Sequence, residues 1–182
     1  MDDEQIQAVS VGEVPTFQEI VFVEYDPQWP ALFEQAAEQV RTVLGDAALE
    51  IHHVGSTSVP GLMAKPKPLI DINLVVADTT DEEAYVPKLE AAGYVLRVRE
   101  PDWFEHRMLR GFEPPVNLHV FPPDCPEVKR MLLFRDWLRT NDADRELFAR
   151  TKRELGTQEW KCVQNYADAK TAVVEEILKR AT

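Results

Sequence analysis

The chain has 182 residues, 45 % of them apolar and 29 % charged, which excludes disordered and collagenous classes and allows one domain with a sizeable core. Thirty-two acidic residues against twenty basic ones give a net charge of −12 and a pI near 4.8. An acidic body repels polyphosphate chains, so no nucleic-acid partner is expected, whereas a small phosphorylated ligand held by local basic groups is compatible. The two cysteines, Cys125 and Cys162, have no metal-ligand spacing and no disulfide framework, and read as reduced thiols.

The first residues, MDDEQIQAVSVGEVPT, are acidic, with no basic segment leading into an apolar one, so residues 1–16 are expected to be a poorly ordered arm and not a secretory signal. No apolar run approaches the ~18 residues that cross a bilayer. A cytoplasmic protein without membrane contact is expected, its oligomeric state and any protein partner left open. QEIVFVEY (18–25) reads as a first strand, ended by Pro27 and Pro30. Leu32, Phe33, Ala36, Ala37, Val40, Val43 and Leu44 then recur at helical spacing up to Gly45. LEIHHV (49–54) is a short strand entering the Gly55 turn, and LIDINLVV (69–76) is the strongest strand pattern, apolar except at Asp71 and Asn73. A helix with Pro87 in its first turn and Gly93 at its end follows. YVLRVRE (94–100) alternates like a half-wet strand, and FEHRMLRG (104–111) with VNLHVF (116–121) reads as an antiparallel pair. The pattern then becomes helical. Asp124 and Glu127 suggest a capping box, and three amphipathic segments follow, the last with Tyr166, Ala169, Val173 and Ile177 on one stripe. Neither repeat nor linker divides residues 17–182, which reads as one domain of mixed α/β (α+β) class with a helical second half.

Chemistry concentrates around HHVGSTSVPGL and LIDINL. A glycine-bounded turn after a strand lets backbone N–H groups approach an anion, and the hydroxyls of Ser56, Thr57 and Ser58 add donors beside Gly55. The same residues also occur in turns that bind nothing. Asp71 would place a charge in a core-like strand, so it needs a metal, a basic partner or backbone donors. Asp71 and Asn73 share a face, which suits Mg²⁺ shared with a substrate phosphate; pairing of Asp71 with Lys65, Lys67 or an arginine is the alternative. Asn117 and His119 share a face of their strand, and in the preceding strand Glu105 and Arg107 face one way, His106 and Met108 the other. Either histidine can act as a base, and Lys65 or Arg107 can offset phosphate charge. A zinc site of His53, His106 and His119 has no motif behind it. Arg135 and Arg139, and likewise Tyr166 and Lys170, lie four apart on one helical face; the former pair suits a solvated face or a phosphate wall, and in the latter Tyr166 could stack on a base.

Taken together, HHVGSTSVPGLMAKPKPLIDINL, FEHRMLR, VNLHVF, RDWLR and NYADAK resemble the GrpB family, part of the nucleotidyltransferase-like superfamily, over nearly the whole chain. The resemblance implies a nucleotidyltransferase-like mixed β-sheet with a C-terminal helical half. It also implies Mg²⁺-dependent transfer of a nucleotide from an NTP to a small molecule or polymer, of which the acidic net charge favours a small acceptor, or a non-catalytic nucleotide-binding or folding-accessory role of the kind that fusion to dephospho-CoA kinases suggests. Gly55 and Ser56 match the superfamily's Gly-Ser that holds the triphosphate, and Asp71 matches its first metal-binding acid. Asn73 departs from the pattern, since a second acid is usual there, and His119 and Asn117 stand where a third acid is expected.

Overall fold

A computed structural model describes residues 2–12, 21–64, 69–160 and 163–182. Helix α1 (Asp3–Val9) precedes α2 (Trp29–Leu44) and strand β1 (Glu50–Val54). Strand β2 (Ile70–Val75), helix α3 (Val86–Ala91) and strands β3 (Val95–Glu100), β4 (His106–Phe112) and β5 (Pro115–Phe121) complete the sheet half. Helices α4 (Pro126–Thr140), α5 (Asp142–Gly156), α6 (Val163–Ala169) and α7 (Thr171–Ala181) follow. The strands form one mixed sheet in the order β1-β2-β5-β4-β3, with β2 and β5 parallel and every other neighbouring pair antiparallel.

One face of the sheet is the main core. His53, Ile72, Leu118, Leu109 and Leu96 lie in register across it. Helix α2 buries Trp29, Phe33, Ala36, Ala37, Val40 and Leu44 toward this side. Ala36 and Ala37 are wholly buried, and side chains of that size allow close approach of helix to sheet. Pro30 and Pro87 lie in the first turns of α2 and α3, and α3 ends before Gly93 at φ +92°, as the turn residues require. The helical half has its own cluster, in which Leu138, Phe148, Val173 and Ile177 enclose Val59, Leu62 and Met63 from the segment after β1. That cluster binds the two halves together. Among the described residues no helix is long and apolar enough to cross a membrane.

Four local expectations differ from the structure. The arm at 1–16 contains a helix, because Asp2 and Gln5 close a reciprocal capping box, and Ser10 then bridges to Val98 on the β3 edge. The strand expected at 18–25 falls partly outside the described residues, and its described part contributes only the bridge from Val23 to Ala64. Asp124 does not cap α4: it lies one residue before the cap position, at φ 57°, and its carboxylate accepts from Lys129 while Glu127 pairs with Arg130. The last expected helix is interrupted at Lys170, although Tyr166, Val173 and Ile177 are buried as the stripe requires.

Candidate functional site

The other face of the sheet carries the polar residues. One register row runs Val54, Asp71, Asn117, Arg110 and Val95; the next runs His52, Asn73, His119, Met108 and Val98. Period-two alternation puts each of these side chains on the same side. Helix α4 covers part of this face, where Val128 and the preceding Cys125 pack with Phe121 of β5 and Met131 and Leu132 lie beside them.

Asp71 is half-buried, its side chain 30 % exposed. Asn117 Nδ2 donates to Asp71 Oδ1 at 3.1 Å, and Arg110 donates to Asn117 Oδ1 at 3.0 Å. Asp71 is therefore bound to an amide and backed by a cation, and is not a sealed partner of lysine or arginine. Burial pulls the Arg110 guanidinium below its ordinary range, and Asp71 opposes that shift. His119 Nε2 lies 3.8 Å from Asp71 Oδ1. On its other side His119 Nδ1 is 3.0 Å from His106 Nε2, and His106 Nδ1 is 2.7 Å from Glu100 Oε2. His106 is almost fully buried, and loss of water pulls its imidazolium down to about 4.

The turn meets Asp71 directly. Gly55 has φ +72° and ψ −173°, and a Cβ added there would lie 2.5 Å from Asp71 Oδ2. Both conditions demand glycine: the backbone lies in a region only glycine tolerates, and the carboxylate fills the space a side chain would need. The next residues split in role. Ser58 donates to the Gly55 carbonyl at 2.6 Å and Thr57 bonds His53 Nε2 at 2.9 Å; both side chains are buried. Thr57 and Ser58 thus face inward and brace the turn, which corrects their expected role as hydroxyl donors to phosphate. Gly55 is exposed and Ser56 half-exposed, so these two remain to face a ligand, with the Ser56 and Thr57 amides having no acceptor within the turn.

His53 lies on the core face, stacked on Phe33 with ring centroids 4.7 Å apart, and burial pulls it down to about 4. It is thereby separated from His106 and His119, which removes the three-histidine zinc arrangement. Arg107 also faces away from Asp71: its guanidinium is buried and donates to Glu82 at 2.7 Å. Register places Arg107 with Val120 and Arg99, on the side opposite His106 and His119, so it is not brought to the turn. Lys65 lies outside the described residues. Asn73 shares the face of Asp71 but is wholly buried; its Nδ2 lies 3.2 Å from Met131 Sδ, and its Oδ1 has no hydrogen-bond partner.

Tyr166 is buried edge-on to Trp160, with the Lys170 ammonium 4.6 Å from its ring centre. Among the described residues the contacts of α6 fall chiefly on α5 and α7, where the pair packs within the helical half. Arg135 and Arg139 do not form a merely solvated face. Arg135 donates to the His53 carbonyl at 3.0 Å and Arg139 to the Ser58 carbonyl at 2.9 Å, tying α4 to both sides of the turn.

Three residues of this network escaped the sequence reading. Lys152 on α5, 3 % exposed, donates to Ser56 Oγ at 2.8 Å and to the Met63 carbonyl at 2.6 Å. Nothing local marks a lysine for contact with a serine so distant in sequence. Arg110 was in principle legible, since it follows His106 and Met108 at period two. Glu100 became a neighbour of His106 only through the register of β3 on β4. Two surface cavities, about 300 and 430 Å³, lie elsewhere, the first around Gly61 and Arg145 and the second around Glu82 and Arg97. Neither of these two is lined by Gly55 or Asp71. Among the described residues no three His, Cys, Asp or Glu side chains converge to hold a metal.

A mixed sheet whose first strand ends in a Gly-Ser turn against an acid on the next strand, with helices behind, is of the nucleotidyltransferase fold. Solved structures agree on the fold. The Cid1 poly(U) polymerase aligns with a TM-score of 0.52 at 13 % identity, over 72 % of this chain and 43 % of that one. A c-di-GMP synthase, CdnE of Capnocytophaga granulosa, aligns with 0.50 at 12 % identity, over 82 % and 60 %. Within that fold the chain belongs to the GrpB family: residues 19–180 match the family profile described as GrpB protein. A UPF0157 protein of Halalkalibacterium halodurans is 57 % identical over 98 % of this chain and 91 % of its own length. One of Streptomyces coelicolor is 42 % identical over 97 % and 91 %. The crystal structure of GrpB from Enterococcus faecalis aligns with a TM-score of 0.71 at 28 % identity, over 88 % of this chain and 98 % of that one. A dephospho-CoA kinase of Mycolicibacterium paratuberculosis is 28 % identical over 86 % of this chain, which matches 44 % of the kinase.

Proposed function

We propose that the cleft between Gly55, Asp71 and His119 binds a nucleoside triphosphate and passes its nucleotide to a hydroxyl or amine of a small acceptor. The observation that carries this reading is the contact of the turn with the acid, so close that Gly55 has no room for a Cβ beside Asp71 Oδ2. Phosphates would lie on the Gly55–Ser56 turn, with Lys152 holding the Ser56 hydroxyl and Arg110 adding positive charge beside Asp71. The donor set fits one Mg²⁺ and not two: Asp71 supplies one carboxylate, and the partnerless Asn73 oxygen can serve only as a neutral second ligand. Bound there, the ion would supply charge neutralisation to the phosphates. His119 Nε2 takes the acceptor proton as the acceptor oxygen or nitrogen bonds to the α-phosphorus. The bond from that phosphorus to the β,γ-phosphates breaks, and pyrophosphate leaves.

The absence of a metal-binding trio among the described residues favours a second reading, a nucleotide-binding accessory module without transfer chemistry. Its relation to dephospho-CoA kinases, of which this chain matches under half the length, supports the same reading. Calorimetric titration of NTPs with Mg²⁺ against wild type, Asp71→Asn and Ser56→Ala, paired with label transfer from α-labelled NTPs to a small-acceptor panel, separates the two. Binding lost in both variants, with label transferred, supports the enzyme. Binding without transfer supports the module, and affinity unchanged in both variants puts the ligand elsewhere.

A further inference from the structure

Outside the turn and its acid, the polar face holds a second linked set, Glu100, His106 and His119, running from the edge strand inward to Asp71. Its spacings are 2.7 Å from Glu100 Oε2 to His106 Nδ1, 3.0 Å from His106 Nε2 to His119 Nδ1, and 3.8 Å from His119 Nε2 to Asp71 Oδ1. Proton bookkeeping along this line has one consistent solution for neutral rings. An ionised carboxylate only accepts, so His106 Nδ1 carries the proton it shares with Glu100. His106 side-chain exposure is 4 %, and burial on this scale keeps the ring neutral, so its Nε2 is bare. The proton between the two rings therefore belongs to His119 Nδ1, and His119 Nε2 is left as a lone pair facing Asp71.

The rings cannot easily reorient. Phe121 stacks on His106 at 4.7 Å, His119 lies beside it in nearly the same plane with ring centres 5.2 Å apart, and Trp103 closes the edge at 5.2 Å. We propose that Glu100 and His106 are positioning residues that hold His119 in its Nδ1–H form, with a bare Nε2 presented to the Asp71 cleft. This is the logic by which a buried acid orients a catalytic base through its far nitrogen, extended here by one imidazole. The inference rests on the reading of His119 as the base, and neither positioning residue touches the substrate.

The test uses the full chain with ¹⁵N-labelled histidine. Long-range ¹H–¹⁵N correlation at neutral pH reads the protonated nitrogen of each ring directly. In the wild type, Nδ1–H is expected for both His106 and His119. Glu100→Gln, on the edge strand, and His106→Phe, which keeps the stack with Trp103 and Phe121, should each shift His119 toward Nε2–H. Transfer in Glu100→Gln should fall about 10-fold in kcat with KM unchanged, as loss of an orienting partner does elsewhere. An Nε2–H resonance for His119 in the wild type overturns the proposal, as does a His119 tautomer unchanged in both variants. If His119→Ala retains full transfer activity, the base reading fails by itself, while the tautomer result still decides whether Glu100 and His106 set the ring.

Discussion

Gly55→Ala perturbs the site at its narrowest point, and its cost follows from two separable causes. At φ +72° and ψ −173° a side chain is strained whatever surrounds it, by on the order of 1–3 kcal/mol. The new Cβ would also lie 2.5 Å from Asp71 Oδ2 and 3.0 Å from Asp71 Cβ, and forcing these apart adds about 1–3 kcal/mol of overpacking. A total near 3 kcal/mol lowers the melting temperature by about 6–12 °C in a chain of this size. Asp71→Gly removes the overlap but not the backbone strain. The double mutant should therefore be more stable than the sum of the single effects by about 1–2 kcal/mol. Urea denaturation of the four proteins measures this coupling. Strict additivity would mean that turn and carboxylate are not in contact in solution. A Gly55→Ala protein as stable as wild type would remove the backbone argument as well.

Ser56 and Ser58 should part company: Ser58→Ala leaves the buried braces incomplete and costs about 1 kcal/mol of stability with nucleotide binding kept, while Ser56→Ala, which also takes an acceptor from the buried Lys152 ammonium, weakens nucleotide binding as well as stability, as paired denaturation and titration would read. Arg107→Ala should cost about 2–3 kcal/mol, because Glu82 loses its buried partner and keeps only Arg99, yet leave nucleotide affinity unchanged; an affinity loss would return Arg107 to the site. Lys152→Met keeps the aliphatic stem but removes both donated bonds, and should loosen the turn, seen as faster amide exchange at Ser58 and Val59. His53 and His106 both have folded pKa values near 4, below the unfolded value of about 6.5. The unfolded chain therefore binds more protons in that window. Their contribution to stability is complete above pH 6.5 and is lost as pH falls toward 4, and His53→Gln should flatten the pH 6.5–5 limb of the denaturation profile.

Local periodicity carried a large part of this molecule. Strand alternation put Asp71 with Asn73, Asn117 with His119, and His106 opposite Arg107, because successive side chains leave a strand on opposite sides whatever the rest of the chain does. The 3.6-residue period of a helix likewise placed the faces of α2 and α7, and the glycine-bounded turn was legible because so few residues tolerate its backbone. Alternation does not say which face is open. That Arg107 turns inward while His106 and His119 share the polar side depended on where α2 and α3 settled. It also does not say what a hydroxyl meets: Thr57 and Ser58 were spent on His53 and on the Gly55 carbonyl, and Ser56 was claimed by Lys152 from a helix far along the chain. Glu100 met His106 only once β3 had taken its register on β4, and Arg135 and Arg139 became the ties of the turn only once α4 lay across β1. Local conformation is decided largely by neighbouring residues, so the sequence by itself determined most of the elements, the turn and the acid. Partners distant along the chain are decided by packing, so the tertiary structure alone determined which of those polar groups face the cleft and which are used up in holding it.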